Sequence, residues 1–248
     1  MKDLFDSIGI YYDLIYKNKN YVNEVEFIIN TLSECGIDGK LILDFGCGTG
    51  KHAIQFVEKG YNLDGVERSN TLISFIQKIN GFNFYKGDIR NIKLEKKYDG
   101  ILSLFHVMSY QTKNEDLKSV FKNANFHLKP NGFFLFDFWY TPAVKYQLPE
   151  VRVQRFGNKK NNIFRIAEPE IFTDKNIVDV KYTIFVEDIE KNQIQKFEEI
   201  HPMRHFCLEE IDAIGKSFGF KMIKNGEWLT NKTPSKESWG VYVIFKKL

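Results

Sequence analysis

Two patterns of apolar and polar positions run along the chain. In its first part, short apolar runs alternate with stretches of helical period. Val25, Ile28, Ile29 and Leu32 form an i, i+3, i+4, i+7 stripe, which predicts a helix within about 8–34, ended by Gly36 and Gly39. KLILDFGCGTG, an apolar run ending in acid and glycine, holds the first strand, KHAIQFVEKGY reads as a helix and NLDGVE as a second strand. Ser69 is a candidate N-cap for a helix over SNTLISFIQKI. NFYKGD and YDGILSLF read as strands three and four. NEDLKSVFKNANFHL puts Leu117, Val120, Phe121 and Ala124 on one helical face, Pro130-Asn131-Gly132 is a turn, and FFLFDF is a fifth strand. Buried strands alternating with helices predict βαβ units and a parallel sheet.

The pattern changes after Phe138. Val178, Val180, Tyr182, Ile184 and Val186 alternate with their neighbours, and a hairpin is predicted around Glu190–Gln193. Helical period returns in LEEIDAIGKSFGF, followed by two strands near FKMIKNGEW and WGVYVIFKK. The predicted plan is an α/β core made of 1–148 with 207–248, carrying an antiparallel β cap over 149–206.

Composition adds exclusions. A hydrophobic share of 43% and a charged share of 27% are globular values, so global disorder is excluded. No run of about 18 apolar residues predicts a membrane span, and the first residues do not read as a signal peptide. Three widely spaced cysteines form neither a disulfide framework nor a metal pair, so a cytoplasmic setting without a metal is expected. Lysines are dispersed and the net charge is only +3, which gives no basic arm for nucleic acid. The expected partner is a small molecule, and the chain is expected to act as a monomer or homodimer.

The chemistry concentrates between the first strand and the helix after it. Gly46-Cys47-Gly48-Thr49-Gly50 lets the backbone turn sharply and approach a ligand beside a helix N-terminus. Asp44 precedes the loop, Glu67 ends the second strand where an acid can accept both ribose hydroxyls, and Asp88 follows the third. A diphosphate binder usually shows GxGxxG. Here the spacing is GxGxG with an acid in front, which suits a ligand carrying an ammonium. LDFGCGTG, Glu67 and Gly87-Asp88-Ile89 together resemble the class I S-adenosylmethionine-dependent methyltransferases, over about residues 40–140. The resemblance implies a Rossmann-like seven-stranded sheet whose final strand is antiparallel, and S-adenosylmethionine as cofactor. It assigns Tyr12, Tyr21, Asp44, Gly46, Cys47, Gly48, Gly50, Glu67, Arg68, Asp88, Ile89, Leu104 and Phe105 to the cofactor.

Tyr12-Asp13 with Tyr21, FDFWYTPAV and EEIHPMRHF further resemble the N,N-dimethyltransferases of nucleotide-linked amino sugars. SLFHVMSYQ, VRVQR and WLT are similar to methyltransferases of bacterial surface-polysaccharide clusters. This implies a cap closing over a sugar, with N-methylation favoured over O-methylation. A non-catalytic cofactor-binding subunit is the reading from a different class. The absence of [DN]-P-P-[YF] after strand four argues against methylation of a base amine.

His106, just beyond strand four, is the first candidate base, or else a loop-capping residue. His201 is the second, as base or sugar-binding group. Tyr110, Trp139 and Tyr140 are candidates to meet the substrate, and Arg204 to pair with its phosphate. His52 and His127 are expected to be packing or surface residues, and Trp228 and Trp239 core or cap-edge residues.

Overall fold

The computed structural model describes Phe5 and residues 8–248. A 3-10 turn at Gly9–Tyr11 leads into α1 (Tyr12–Ile15) and α2 (Tyr21–Glu34). The Asn20 side chain caps α2 by accepting the Asn23 N–H at 3.0 Å. The predicted stripe is the packed face: Val25, Ile28 and Leu32 are buried. The parallel region follows with β1 (Leu41–Phe45), α3 (Lys51–Glu58), β2 (Asn62–Glu67), α4 (Asn70–Ile73), β3 (Phe82–Lys86) and β4 (Tyr98–Ser103). Then come a 3-10 turn at Val107–Tyr110, α5 (Asn114–His127), β5 (Leu128–Tyr140) and α6 (Thr141–Tyr146). The cap strands are β6 (Arg152–Gly157), β7 (Asn161–Phe172), β8 (Ile177–Asp188) and β9 (Gln193–Phe206). The chain closes with α7 (Leu208–Ser217), β10 (Phe220–Glu227) and β11 (Gly240–Lys247).

The core sheet runs β3-β2-β1-β4-β5, all parallel, and continues through β11 and β10. β11 is antiparallel to both of its neighbours. This is the seven-stranded arrangement that the sequence resemblance implied. Both faces are covered, so the central strands read as continuous apolar runs. Phe134, Phe136 and Phe138 face one core cluster, and Phe133 and Leu135 face the other. β6–β9 form an antiparallel meander. Its last strand joins the core sheet where Trp139 pairs with His205 and Tyr140 with Phe206. The meander therefore hangs from the C-terminal end of β5. Ile8 and Ile15 of the N-terminal segment pack against Ile163, Ile184 and Val186 of the meander.

Two local expectations are corrected. The helix predicted from Ser69 stops after one turn at Ile73, although Ser69 does cap it by accepting the Leu72 N–H at 3.2 Å. Ile76 and Ile79 instead turn into the core, and Ile79 bridges Phe82, so tertiary burial overrides the helical pattern. The Pro130-Asn131-Gly132 turn lies inside β5 rather than before it. It is the excursion between the pairs Tyr98–Leu128 and Gly100–Phe133, with Asn131 at φ +62°.

Candidate active site

Parallel sheets bind ligands beyond the C-terminal ends of their strands, and two adjoining cavities open there. The smaller, of about 140 Å³, is walled by Glu67, Arg68, Gly87, Asp88, Ile89 and Gln111 among others. The larger, of about 270 Å³, is walled by the glycine loop, Tyr12, Tyr16, Tyr21, Leu104, Phe105, His106, Trp139, Tyr182 and Met203 among others. Phe5, Gly46, Glu67, Val107 and Tyr110 line both.

The loop geometry depends on glycine at two positions. Gly46 has φ +86°, and a Cβ there would lie 2.7 Å from Val107. Gly48 has φ +57° and nothing within 4 Å of where a Cβ would stand, so its backbone faces open space. Its N–H donates to Glu67 Oε2 at 3.0 Å, and the Arg68 and Ser69 N–H groups donate to Oε1, both at 2.8 Å. Burial still raises the Glu67 carboxyl against these three donors. Asp44 lies beneath the loop, 2% exposed, with Oδ1 lacking any hydrogen-bond partner among the described residues. Burial, and then the neighbouring Glu67, push it up to about 7. A buried carboxylate oxygen without a donor is costly; Asp44 lies behind the linings of both cavities, and a ligand ammonium reaching the loop would relieve it. Asp88 is different. Burial would raise it, but Arg90 grips it through Nε at 2.9 Å and Nη2 at 2.5 Å and holds it below the usual range. The residues present thus fit a ligand with an amine, a ribose and a base: Asp44 for the first, Glu67 for the second, Asp88 and Ile89 for the third.

At the end of β4 the backbone is strained. Phe105 and His106 are consecutive non-glycine residues with φ +64° and +63°. The Asp137 carboxylate stabilises this turn by accepting the His106 N–H at 3.2 and 3.1 Å. The same carboxylate stands 2.7 Å from His106 Nδ1. Asp137 is 1% exposed. Burial would raise it, yet the imidazole and the His106 N–H together hold it below the ordinary range. Asp137 was not among the expected site residues. Its signal was a single acid inside the apolar run FFLFDFW.

The N-terminal segment is clamped over this site. Thr49 Oγ1 donates to Asp13 at 2.8 Å, and Lys51 pairs with Asp13 at 3.1 Å. Glu24 sits between His52 Nε2 at 2.7 Å and the Lys19 ammonium. Lys19 lies 4.0 Å over the Phe105 ring. His52, expected away from the strand ends, therefore forms part of the larger cavity's wall, because α3 begins at the loop.

Residues 42–132 match the family described as methyltransferase domain. The chain is an S-adenosylmethionine-dependent methyltransferase. It is similar to YqeM of Bacillus subtilis (strain 168), a methyltransferase by name, at 26% identity over 95% of this chain and 94% of that protein. It is 27% identical to the dTDP-3-amino-3,4,6-trideoxy-alpha-D-glucopyranose N,N-dimethyltransferase of Streptomyces venezuelae, over 54% of this chain and 57% of that one. Its fold matches the sugar N-methyltransferase KedS8 from Streptoalloteichus sp ATCC 53650 with a TM-score of 0.80, at 17% identity, over 95% of this chain and 92% of that one.

Most of the expected site residues of this methyltransferase line the two cavities. Others lie behind them. Gly50 ends the loop at φ +78° and packs on Phe82. Tyr140 donates its N–H to the Trp239 carbonyl at 3.0 Å and packs on the core. His201 is 2% exposed, held between Tyr110 Oη at 2.9 Å and Glu199 at 3.0 Å, and is not a lining residue. Arg204 pairs with Glu210 at 2.5 Å rather than facing the cavity. His127 is a packing residue that accepts the Leu94 N–H at 3.0 Å. His205 contacts Thr141 Oγ1 at 2.8 Å, and burial pushes it down to about 4. Among the described residues, no helix is long and apolar enough to cross a membrane.

Proposed function

We propose that this methyltransferase N-methylates an amino sugar linked to a nucleotide, with His106 as the base. The observation that carries the reading is the His106–Asp137 pair, which borders the cavity shared with the cofactor-side residues. S-adenosylmethionine supplies the electrophilic methyl when bound. Asp44, the glycine loop and Glu67 hold its amine and ribose, and Asp88 its base. Tyr12, Tyr16 and Tyr21 line the same cavity, where their rings favour a cation.

The chain's own work is orientation and proton removal. A proton on His106 Nδ1, which stands 2.7 Å from Asp137 Oδ2 without a hydrogen bond in good geometry, leaves the lone pair on Nε2. Nε2 then accepts the proton that the acceptor nitrogen loses, and Asp137 stabilises the resulting imidazolium. Trp139, whose ring centroid is 6.3 Å from that of His106, offers an apolar face to a sugar ring. The names of the Streptomyces venezuelae and Streptoalloteichus relatives support an amino-sugar acceptor. The test is turnover to S-adenosylhomocysteine with a panel of amino-sugar nucleotides, with products identified by mass. Transfer to hydroxyl acceptors alone would sink the N-methylation reading.

A further inference from the structure

We infer that Tyr110 accepts a hydrogen bond from the group that receives the methyl, its hydroxyl aimed by a buried His201–Glu199 pair, an inference that rests on the N-methylation reading above. Among the described residues, five line both cavities, and two of these carry polar side chains, Glu67 and Tyr110. Glu67 is already held by three backbone N–H groups. Thr49 and Lys51 in the larger wall are bound to Asp13, and His52 to Glu24. Tyr110 is engaged instead by a chain of buried groups behind the wall.

That chain sets the direction of each hydrogen bond. Glu199 accepts the Phe5 N–H on Oε2 at 3.2 Å and the Ile8 N–H on Oε1 at 3.3 Å. A carboxylate offers acceptors only, so His201 Nε2, 3.0 Å from Oε2, carries a proton and donates it. A neutral imidazole with its proton there has its lone pair on Nδ1. Nδ1 stands 2.9 Å from Tyr110 Oη, so the Tyr110 O–H donates to it. Burial above all raises the Tyr110 hydroxyl well above the usual tyrosine value, which keeps that proton in place. The imidazole is fixed by edge-to-face contacts with Phe5 and Tyr182, both at 4.9 Å between ring centroids.

With its proton turned toward His201, Tyr110 can offer a ligand only the lone pairs of its oxygen. Each bond in the chain polarises the next, which makes that oxygen a better acceptor. An amine awaiting a methyl presents N–H groups and must keep its own lone pair free. A hydroxyl donating into the cavity would bind that lone pair and block attack; an oxygen that only accepts holds an N–H and leaves the lone pair for the methyl. His106 Nε2 takes the proton that is lost, and Tyr110 holds the nitrogen through another. No proton moves along the chain behind Tyr110, so His201 and Glu199 are positioning residues.

The test is steady-state kinetics of the full chain with the acceptor turned over fastest in the panel above, beside calorimetric titration with S-adenosylhomocysteine. Tyr110→Phe should lower kcat/KM for that acceptor by about tenfold or more and leave the Kd of S-adenosylhomocysteine within about twofold. His201→Leu should lower kcat/KM as much, and the double variant Tyr110→Phe/His201→Leu no further than either alone, because His201 acts through Tyr110. His201→Asn, whose Oδ1 can accept in place of Nδ1, should restore most of the loss. Losses that add in the double variant, or His201→Asn no better than His201→Leu, would overturn the aiming by His201. Unchanged acceptor kinetics in Tyr110→Phe, or a loss confined to S-adenosylhomocysteine affinity, would overturn the inference, and amines still methylated by that variant would leave the N-methylation reading standing. The expected losses with an acceptor methylated only on a hydroxyl would keep the directed hydrogen bond and remove the N-methylation reading.

Discussion

In the proposed mechanism His106 and Asp137 act as one unit, and each can be tested by a single atom or ring. His106→Ala should lower kcat by about 10²–10⁴-fold with little change in KM for the cofactor, measured by initial rates of S-adenosylhomocysteine release. Asp137→Asn keeps an acceptor for the His106 N–H but removes the charge that stabilises the imidazolium. It should lower kcat by roughly tenfold or more and shift the acidic limb of the pH–rate profile, the limb that a catalytic base sets, whereas loss of packing alone would leave that limb in place. Asp44 makes a pH prediction. Its folded value of about 7 lies above the ordinary aspartate value, so the ligand-free fold keeps a proton that the unfolded chain has released. Its contribution to stability is complete below about pH 4 and is lost as pH rises through 7, by at most a few kcal/mol. Asp44→Asn should flatten that decline in urea titrations across pH 4–8. Cofactor affinity should move the other way, rising toward pH 7 as Asp44 ionises to meet an ammonium.

At the scale of elements, the site is built from ends rather than middles. β1 delivers the glycine loop, β2 delivers Glu67, β4 ends in two left-handed residues, and β5 places Asp137 beneath them. Gly46→Ala combines a φ of +86° with a 2.7 Å approach to Val107. It should cost about 1–3 kcal/mol of stability and weaken S-adenosylhomocysteine binding, read by denaturant unfolding and calorimetry. The elements that the pattern foretold well are those with one clear periodicity. The α2 stripe and the alternation of β8 both appear as buried faces because burial itself wrote the pattern. α4 was overestimated because Ile76 and Ile79 satisfy a helical spacing yet are used by the tertiary core.

Across the whole molecule, the cofactor cleft lies between pieces distant in sequence: the N-terminal segment, the core strand ends and the cap. A ligand that touches all of them should stabilise the fold as one unit. S-adenosylhomocysteine at about 100 times its Kd should add about 2.7 kcal/mol and raise Tm by roughly 5–10 °C. Glu24→Gln, which loosens the Lys19–Glu24–His52 clamp, should reduce that shift without abolishing folding. An unchanged shift would mean that the clamp does not contribute to holding the ligand.

The sequence by itself determined the parallel core, the glycine loop with its acids and the class of cofactor, because these depend on local periodicity and on short spacings along one strand-turn-helix unit. It also brought His106 forward, since the end of β4 can be counted from the chain. Only the tertiary structure decided what faces what. Asp137 reaches His106 from a strand 31 residues away, His52 enters the wall of the larger cavity through the start of α3, and His201 and Arg204 are taken up by Tyr110, Glu199 and Glu210. Such pairings are set by strand order and register, which no local pattern encodes, and the physical reason is that a buried polar group must find its partner wherever the packed fold has put one.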